Sequence, residues 1–529
     1  MIDGSMQDYP LTLDRFLCHA AKWHPDVSVV TATDSGDTTR IGYATLEDRA
    51  RTVSSVLSSL GIATGDRVAT LAWNSAAHVE AWYGTMGMGA VCHTLNPRLT
   101  ADQLAAMVRQ SEASVLIVSA DLLPLATAIS EHAPVISHIL VIDGTADPAI
   151  AARARAEIAT VDSLMASAGC GVAWGRFTET APSGLCFTSG TTGAPKGVTY
   201  THRSSFLHTL RLLQVDTMAI SAADTVLAVV PMFHANAWGL PFAAPAAGAT
   251  LVLPGRKIDG ASLARLIAQE GVTVAVGVPT VWLGLVEHLE AKGGDLPSLK
   301  RVIVGGAPLP PALMERLEAR LGVEVQTSWG MTELSPSGTV ARPGDETRSA
   351  AQSGKPAIGV DLLLTDADGT ALPDQRHGEG HLRVRGAAVV DRYFGQDDSA
   401  CDADGWFATG DLARIDAAGN LTITGRAKDL IKSGGEWINP AEIEAVVGAL
   451  PEVSLAAVIG RSDLKWGERP ILLVELREDR VTDSDLLGAL KGRVASWWIP
   501  DQVVRLPAMP LAPTGKIDKL RLRAEFGAA

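Results

Sequence analysis

The sequence predicts an α/β protein: a large N-terminal domain with doubly wound parallel sheets, followed by a small α+β C-terminal domain. Up to about residue 350, short apolar runs typical of buried strands alternate with amphipathic helical segments. From about Gly354 the pattern changes to short runs between turn residues, which predicts a small antiparallel, barrel-like element. After Arg426 it changes again, and the segment 429–529 is long enough to fold as a compact domain.

The individual elements follow from these patterns in chain order. The first clear helix is predicted at 45–60, with Thr45 and Asp48 as a capping pair and Gly61 as its end. Strands separated by helices favour parallel sheets covered on both faces. The further predicted strands are 67–73, 115–118, 138–142, 226–230, 272–276, 301–304, 454–459 and 470–476, and the helices are 261–269, 311–321, 439–450 and 483–498.

Charge and cysteine content exclude several classes of function. The 45 basic and 59 acidic residues give a net charge of −14, which has the wrong sign for a broad nucleic-acid-binding face. The cysteines lie far apart without zinc-finger spacing, so we expect free thiols in a reducing compartment. They are Cys18, Cys92, Cys170, Cys186 and Cys401.

No segment has the pattern of a signal peptide or a membrane span. The N-terminus is acidic and polar, so a cytoplasmic location is the expectation. The stretch 224–256 is uncharged between its ends, but prolines interrupt it, and we expect a buried strand, loop and helix there without stable membrane insertion. A homodimer is left open.

The strongest chemical signal is a loop rich in glycine and hydroxyl groups. It reads Thr188-Ser-Gly-Thr-Thr-Gly-Ala-Pro-Lys196-Gly and directly follows the apolar run 185–187. Small residues let the backbone approach a phosphate chain, the N–H and O–H groups donate to it, and the lysine adds a positive charge. The spacing differs from the Walker A pattern. The sequence therefore predicts a phosphate cradle, with a flexible surface loop as the alternative.

The loop resembles the signature of the adenylate-forming superfamily, which contains acyl-CoA synthetases, adenylation domains of peptide synthetases and luciferases. Six further stretches match in the family's order, and the resemblance extends from about residue 10 to 525. The amino-acid sequences of these stretches are most similar to the branch of medium- and long-chain fatty acid ligases and methylmercaptopropionate-CoA ligases. They are PMFHANAW (231–238), GGAP (305–308), SWGMTE (328–333), WFATGD (406–411), GRAKDLIKSGGEW (425–437) and PTGK (513–516).

The resemblance implies a two-step carboxylate:CoA ligase that uses ATP, Mg²⁺ and coenzyme A. The acid and MgATP would give an acyl adenylate and pyrophosphate, and the thiol of coenzyme A would then displace AMP. It further implies an N-terminal adenylation domain, 1–427, and a mobile lid domain, 428–529, that rotates about Lys428 between the two steps. The alternatives are an enzyme that loads a separate carrier protein and a nucleotide-binding regulator without turnover.

The nucleotide contacts are carried over from the matching motifs. Trp329 stands where the family usually has a tyrosine that stacks on adenine, and Asp411 resembles the ribose ligand. Thr188 and Glu333 resemble the magnesium site, although a lone Glu after Thr is also a common helix cap. The full predicted set is Thr188, Ser189, Gly190, Thr191, Thr192, Gly193, Lys196, Gly305, Gly306, Ala307, Pro308, Ser328, Trp329, Gly330, Met331, Thr332, Asp411 and Arg426.

Lys516 is the central catalytic prediction, together with Glu333, Thr188 and His234. Adenylation develops negative charge at the α-phosphate, and a cation that reaches both carboxylate and phosphate oxygens stabilises that transition state. Without the preceding Pro513-Thr-Gly turn, a lysine near Lys519 would be read as part of a solvated basic surface.

The acid pocket and the coenzyme A contacts complete the predicted site. Amino-acid-activating relatives have an Asp where this chain has His234, so an α-ammonium group would lack a partner there. His234 either orients the carboxylate or is a core histidine. The bulk of the tryptophans favours a short to medium, thioether or aryl-substituted tail. The acid residues are His234, Trp238, Val278, Gly305, Trp329 and Met331; the coenzyme A residues are Lys432, Ser433, Gly434, Gly435 and Trp437.

Overall fold

A computed structural model describes residues 3–169, 171–188, 195–434, 436–477, 480–512 and 516–528. The first part of the chain alternates helices and strands as the sequence predicts. Its elements are α1 (Asp14–Trp23), β1 (Ser28–Ala32), β2 (Thr38–Gly42), α2 (Tyr43–Ser59), β3 (Arg67–Leu71), α3 (Ala76–Gly87), β4 (Val91–Thr94), α4 (Ala101–Ser111), β5 (Val115–Ser119), α5 (Leu123–His132), β6 (His138–Ile142), α6 (Pro148–Ala151), β7 (Glu157–Thr160), α7 (Val161–Met165), β8 (Pro182–Phe187) and β9 (Gly197–Thr201).

The alternation continues through the second part of the N-terminal domain. Its elements are α8 (His202–Leu212), β10 (Thr225–Ala228), α9 (Leu240–Ala247), β11 (Thr250–Leu253), α10 (Gly260–Glu270), β12 (Val274–Gly277), α11 (Pro279–Lys292), β13 (Arg301–Val304), α12 (Pro311–Leu321), β14 (Glu324–Gly330), β15 (Ser337–Val340) and β16 (Lys355–Pro356).

Two largely parallel sheets form the core of this domain. Among the described residues, one sheet has the strand order β7-β6-β5-β3-β4-β8-β9, and the other has the order β16-β15-β14-β13-β12-β10-β11-β1-β2. Antiparallel pairs occur at the edges, for example β8 with β9 and β14 with β15. One apolar cluster joins residues of both sheets with α1, α3 and α9, so the two sheets share a common core. The doubly wound prediction is confirmed.

The antiparallel element that follows is an open sheet of β17 (Val360–Thr365), β18 (Glu379–Gly386), β19 (Phe407–Ile415) and β20 (Leu421–Arg426). It occupies the region predicted as barrel-like, but the described strands end at β17 and β20 without closing. Its apolar face packs against Trp329, Leu334 and Tyr200 of the large domain. This packing brings β19 next to the end of β14.

The C-terminal part forms a separate mixed sheet with helices on it. Its elements are β21 (Ile431–Ser433), β22 (Glu436–Ile438), α13 (Pro440–Gly448), β23 (Val453–Asp463), β24 (Gly467–Leu476), α14 (Asp483–Gly488), β25 (Gln502–Arg505) and α15 (Lys519–Phe526). Among these strands the order is β22-β21-β24-β23, and β25 pairs with β24 in parallel. The α+β prediction is confirmed.

Two local predictions are wrong. Helix α2 begins at Tyr43, and its N-cap, Gly42, provides no side-chain bond, so Thr45 and Asp48 do not cap it. The Tyr43 hydroxyl donates to the carbonyl of Ala249 at 2.7 Å, and this tertiary contact fixes the first turn. The helix predicted at 483–498 ends at Gly488 and is followed by turns, and Gly492 has a φ of 75°, which an α-helix does not accommodate.

The uncharged stretch 224–256 forms β10, a turn, α9 and β11, as expected from its prolines. Across the described ranges, the search for an apolar helix long enough to span a bilayer finds none. Cys18, Cys92, Cys186 and Cys401 are free thiols, and Cys170 lies outside the described residues.

Candidate active site

The predicted site residues gather at the carboxyl ends of neighbouring parallel strands. Val278 follows β12, Gly305 follows β13, and Trp329 lies near the end of β14; these three strands are adjacent in their sheet. Thr188 follows β8 of the other sheet. In open α/β sheets, ligands bind in the crevice outside the carboxyl ends of the strands. The topology therefore assembles motifs that are far apart in the sequence.

The ends of the predicted phosphate cradle are held together by the backbone. The N–H of Thr188 donates to the carbonyl of Lys196 at 2.9 Å. Residues 189–194, which include the predicted contacts Ser189, Gly190, Thr191, Thr192 and Gly193, lie outside the described residues. The ammonium of Lys196 lies 4.7 Å from the centre of the Tyr393 ring, within the range of a cation–π contact.

Glu333 lies in a short 3-10 turn, Thr332–Leu334, and is held on several sides. Its Oε1 accepts a hydrogen bond from the Tyr393 hydroxyl at 2.9 Å. Its carbonyl accepts from the N–H of Val390 at 2.8 Å, and the carbonyl of Thr332 accepts from the Tyr200 hydroxyl at 2.9 Å. Glu333 is buried, with only 9% of the residue exposed. It is therefore fixed in one direction.

These donors fit Mg²⁺ that is held mainly by a nucleotide. In the part of the chain that the structure describes, no group of three or more His, Cys, Asp or Glu side chains could bind a metal by itself. Mg²⁺ keeps several waters and commonly binds through one or two carboxylates together with substrate phosphates. A carboxylate such as that of Glu333 and a hydroxyl such as that of Thr188 are of the oxygen-ligand type that such an ion prefers.

Asp411 is a buried carboxylate with two strong donors. The indole N–H of Trp329 donates to Oδ2 at 2.9 Å, and Nε of Arg426 lies 2.8 Å from Oδ1. Burial raises the pKa of Asp411, while Arg426 and the Trp329 hydrogen bond oppose that rise. Each oxygen keeps acceptor capacity for a ligand hydroxyl. Trp329, predicted to stack on adenine, and Asp411, predicted to bind the ribose, are thus joined by a hydrogen bond.

Lys516 enters the cleft between the two domains. Its Cε lies 4.0 Å from the position that a Cβ on Gly306 would take. The residue stays accessible to solvent, although protein atoms surround its ammonium, and this environment lowers its pKa. The charge of Arg426 lowers the pKa of Lys516 further, whereas Asp411 and Glu333 raise it. The structure therefore brings the predicted cation to the predicted nucleotide residues; Pro513, Thr514 and Gly515 lie outside the described residues.

Trp238 occupies the predicted acid pocket. The edge of its indole lies 3.0 Å from the position of a Cβ on Gly305 and 3.5 Å from that on Gly306, and Val278 lies beside it. Any larger side chain at Gly305 would collide with the ring. Trp238 belongs to a left-handed turn, Ala235–Gly239, in which every residue has a positive φ. Such a run of non-glycine residues is strained, and it persists only because the surrounding core holds it.

His234 at the head of the pocket is buried near the positive charges of Lys516 and Arg98. Burial lowers the pKa of His234 to about 4, and the charges of Lys516 and Arg98 contribute to the decrease. His234 is therefore neutral at pH 7. Two cations near a neutral histidine favour a carboxylate and disfavour an ammonium group.

The predicted coenzyme A residues are not part of this cluster. Lys432 and Trp437 are paired across the hairpin of β21 and β22, with the ammonium 5.4 Å from the indole ring. Ser433 accepts a bond from Arg469, and the N–H of Gly434 donates to the carbonyl of Trp466 at 2.7 Å. Among the described residues, no hydrogen bond or ion pair joins this hairpin to Glu333, His234 or Lys516. Gly435 lies outside them.

Tyr393 and Tyr200 were not predicted from the sequence. Tyr393 is 60 residues from Glu333, and Tyr200 is 132 residues from Thr332. Tyr393 follows the charged pair Asp391-Arg392, and Tyr200 lies three residues after the glycine-rich loop, but neither local sequence indicates a contact with the turn that carries Glu333. Only the packing of β9 and of the segment before Phe394 against the Glu333 turn reveals them.

Comparison with known proteins finds two matching family models and relatives that cover nearly the whole chain. The family described as AMP-binding enzyme matches residues 17–394, and the AMP-binding enzyme C-terminal domain matches residues 442–516. The 3-methylmercaptopropionyl-CoA ligase of Ruegeria pomeroyi is 42% identical, over 99% of this chain and 98% of that protein. The medium-chain-fatty-acid–CoA ligase of Ectopseudomonas oleovorans is 41% identical, over 99% and 97%. The crystal structure of the anthranilate CoA ligase AuaEII in complex with anthranoyl-AMP superposes with a TM-score of 0.88 at 25% identity, covering 98% of this chain and 99% of that one.

Proposed function

The chain belongs to the AMP-binding enzyme family and is an ATP-dependent, AMP-forming acyl-CoA ligase that works through an acyl adenylate, and from this premise we propose that its acid is a medium-chain fatty, thioether or aryl-alkanoic acid. The observation that carries the proposal is the position of Trp238. Its indole lies against Gly305 and Gly306, where Lys516 also enters. A carboxylate at Lys516 would therefore have an apolar wall directly behind it.

The charges around this wall support an acid without an α-amino group. His234 is neutral at pH 7 because burial lowers its pKa to about 4, and Lys516 and Arg98 are the charges that act on it. Burying an ammonium group beside two cations would cost several kcal/mol, as a rough estimate. The names of the relatives, a methylmercaptopropionyl-CoA ligase and a medium-chain fatty acid ligase, also fit an acid with an uncharged tail.

Within the adenylation step, the residues of this chain have distinct proposed roles. Lys516 attracts the acid's carboxylate and the α-phosphate, where negative charge develops as pyrophosphate leaves. Asp411 accepts from the ribose hydroxyls, and Arg426 holds that carboxylate in place. Glu333 and Thr188 would hold Mg²⁺, which neutralises phosphate charge when bound.

Thioester formation requires a different arrangement of the C-terminal domain. In the structure Lys516 lies in the cleft, while no hydrogen bond or ion pair of the described residues joins the hairpin with Lys432 and Trp437 to Glu333, His234 or Lys516. We propose that 428–529 rotates as a lid about Lys428, which withdraws Lys516 and brings this hairpin to the acyl adenylate. Lys428 lies in the short turn Ala427–Asp429 between the two sheets, a suitable place for a hinge.

The test is a pyrophosphate-release assay across a panel of acids. The panel contains straight-chain acids from propanoate to dodecanoate, 3-(methylthio)propanoate, 3-phenylpropanoate and several α-amino acids. We expect turnover with the first three groups and none with the amino acids. Thioester formation is scored with coenzyme A and, separately, with a carrier protein. A preference for amino acids would contradict the proposal on the acid.

We also propose a cytoplasmic location, which rests on the acidic and polar N-terminus and which cell fractionation would check. A homodimer is left open, and light scattering of the purified chain would measure its mass.

A further inference from the structure

The segment before Phe394 connects the phosphate cradle to the turn that carries Glu333. The N–H of Phe394 donates to the carbonyl of Gly197, next to Lys196, at 2.7 Å. The N–H of Val390 donates to the carbonyl of Glu333 at 2.8 Å. The five residues from Val390 to Phe394 therefore span the distance between two motifs that are more than 130 positions apart in the sequence.

The side chain of Tyr393 connects the same two motifs. Its hydroxyl donates to Oε1 of Glu333 at 2.9 Å, and its ring faces the ammonium of Lys196 at 4.7 Å. An open cavity of about 290 Å³ lies beside it, lined by Lys196, Tyr393, Ser399 and Phe407 among others. Among the described residues, the cavity borders Lys196 and Tyr393, while Glu333 does not line it.

The hydrogen bond leaves one oxygen of Glu333 available. Within the described ranges, no donor or cation contacts Oε2 of Glu333. A carboxylate with one oxygen anchored by a tyrosine keeps the other oxygen, and its full negative charge, for a ligand. A buried carboxylate without that anchor would be free to rotate and would lose alignment.

We propose that Tyr393 is a positioning residue for adenylation, which holds Glu333 through its hydroxyl and Lys196 through its ring. This inference rests on the proposed roles of Glu333 and Lys196 in binding MgATP. It assigns the two halves of the side chain to different groups: the hydroxyl acts on the metal-binding carboxylate, and the ring acts on the phosphate-binding ammonium. The two effects can therefore be measured separately.

Tyr393→Phe removes the hydroxyl and keeps the ring. We expect the Kd of MgATP, measured by calorimetry, to rise about 10-fold, as for the loss of a hydrogen bond to a charged group. The Kd of ATP measured with EDTA should stay unchanged, because in this proposal Glu333 acts on the phosphates only through the metal. Tyr393→Leu also removes the ring, and it should weaken binding of metal-free ATP as well.

The control is Tyr43→Phe, which removes another buried tyrosine hydroxyl bond, the one to the carbonyl of Ala249, at a residue that makes no hydrogen bond to those predicted nucleotide residues that the structure describes. It should change neither Kd, and thermal unfolding of each variant checks folding. Equal weakening of MgATP and metal-free ATP by Tyr393→Phe, or no weakening of either, would overturn the positioning role.

Glu333→Gln separates this inference from the proposed function. If Glu333→Gln weakens MgATP binding while Tyr393→Phe does not, the role of Tyr393 is wrong and that of Glu333 stands. If Glu333→Gln itself leaves the Kd of MgATP unchanged, the proposed metal role of Glu333 fails, and the role of Tyr393 fails with it.

Discussion

The indole nitrogen of Trp329 lies 2.9 Å from Oδ2 of Asp411, so the end of β14 is bonded to β19 of the antiparallel sheet. Arg426 holds the other oxygen at 2.8 Å. The residue that the family motif places on adenine is therefore also a donor to the predicted ribose ligand. A tyrosine, which the family usually has here, would place its hydroxyl differently from this indole N–H.

Trp329→Phe should shift the acidic limb of the pH profile of kcat/KM for ATP to higher pH. The Trp329 hydrogen bond lowers the pKa of Asp411, which burial raises, so its removal raises that pKa further. As the pH falls, Asp411 then becomes protonated earlier and loses its pairing with Arg426 and its capacity to accept from ribose. An acidic limb at the wild-type pH, with kcat/KM lowered uniformly, would mean that the indole acts by stacking alone.

Lys516→Ala should reduce the adenylation rate by about 10²-fold or more, as for the loss of one transition-state donor. Thioester formation from supplied acyl adenylate should survive, since the proposed lid rotation would carry Lys516 away for that step. The protein atoms around the ammonium and the charge of Arg426 lower the pKa of Lys516. As the pH rises, wild-type adenylation should therefore decline before the usual pKa of a lysine is reached. Lys491→Ala, an exposed lysine of the same domain, is the control. Equal loss in both half-reactions would contradict the division of labour.

Trp238→Ala should shift the preferred acid towards longer chains. The indole fills the space beside Gly305, and its removal leaves room for several methylene groups, each worth about 0.8 kcal/mol when buried. The measurement is kcat/KM across straight-chain acids, with Trp282→Phe as a control in the core on the other side of the sheet. An unchanged chain-length optimum would mean that the tail lies elsewhere.

Short buried strands and motif residues could be predicted from the sequence, whereas contacts between distant segments could not. Strands such as 138–142 and 301–304 are confirmed at both ends, because each is a short buried run with clear breaks. Cleft residues such as Lys516 and Asp411 were predicted from motifs. The contacts of Tyr393 could not be predicted, since its partners come from distant segments and a lone tyrosine has no local signature. Helix α2 shows the same limit: a tertiary hydrogen bond from Tyr43 overrides the local capping pattern.

Gly434→Ala should slow thioester formation, and the structure provides a way to find out why. Gly434 has a φ of 61°, and an added Cβ would lie 2.6 Å from the ring of Trp466. Trp466 is 45% exposed, so its ring can move away. Combining Gly434→Ala with Trp466→Ala removes that collision. Because alanine is strained at the φ of Gly434, a slow CoA-dependent step in the double variant supports the hairpin as the path of the pantetheine only if adenylation and thermal unfolding are normal. A full recovery would mean that the defect was only the collision.

Arg211→Met should stabilise the protein. Arg211 is only 7% exposed, and among the described residues its side chain makes no hydrogen bond or ion pair; its Nη2 is buried without a partner. Burial disfavours the charged form and lowers the pKa of Arg211 to about 10. Methionine keeps much of the volume without the charge, and replacing buried charged groups by apolar ones is often stabilising by about 1–4 kcal/mol.

The destabilisation by the buried charge of Arg211 should depend on pH. Because the folded-state pKa lies below that of the unfolded chain, this destabilisation is fully present at neutral pH and decreases as the pH rises past about 10. The measurement is the free energy of unfolding in urea at pH 7, with Arg203→Met, an exposed arginine of the same helix, as the control. A loss of stability in Arg211→Met would show that the guanidinium has a stabilising partner.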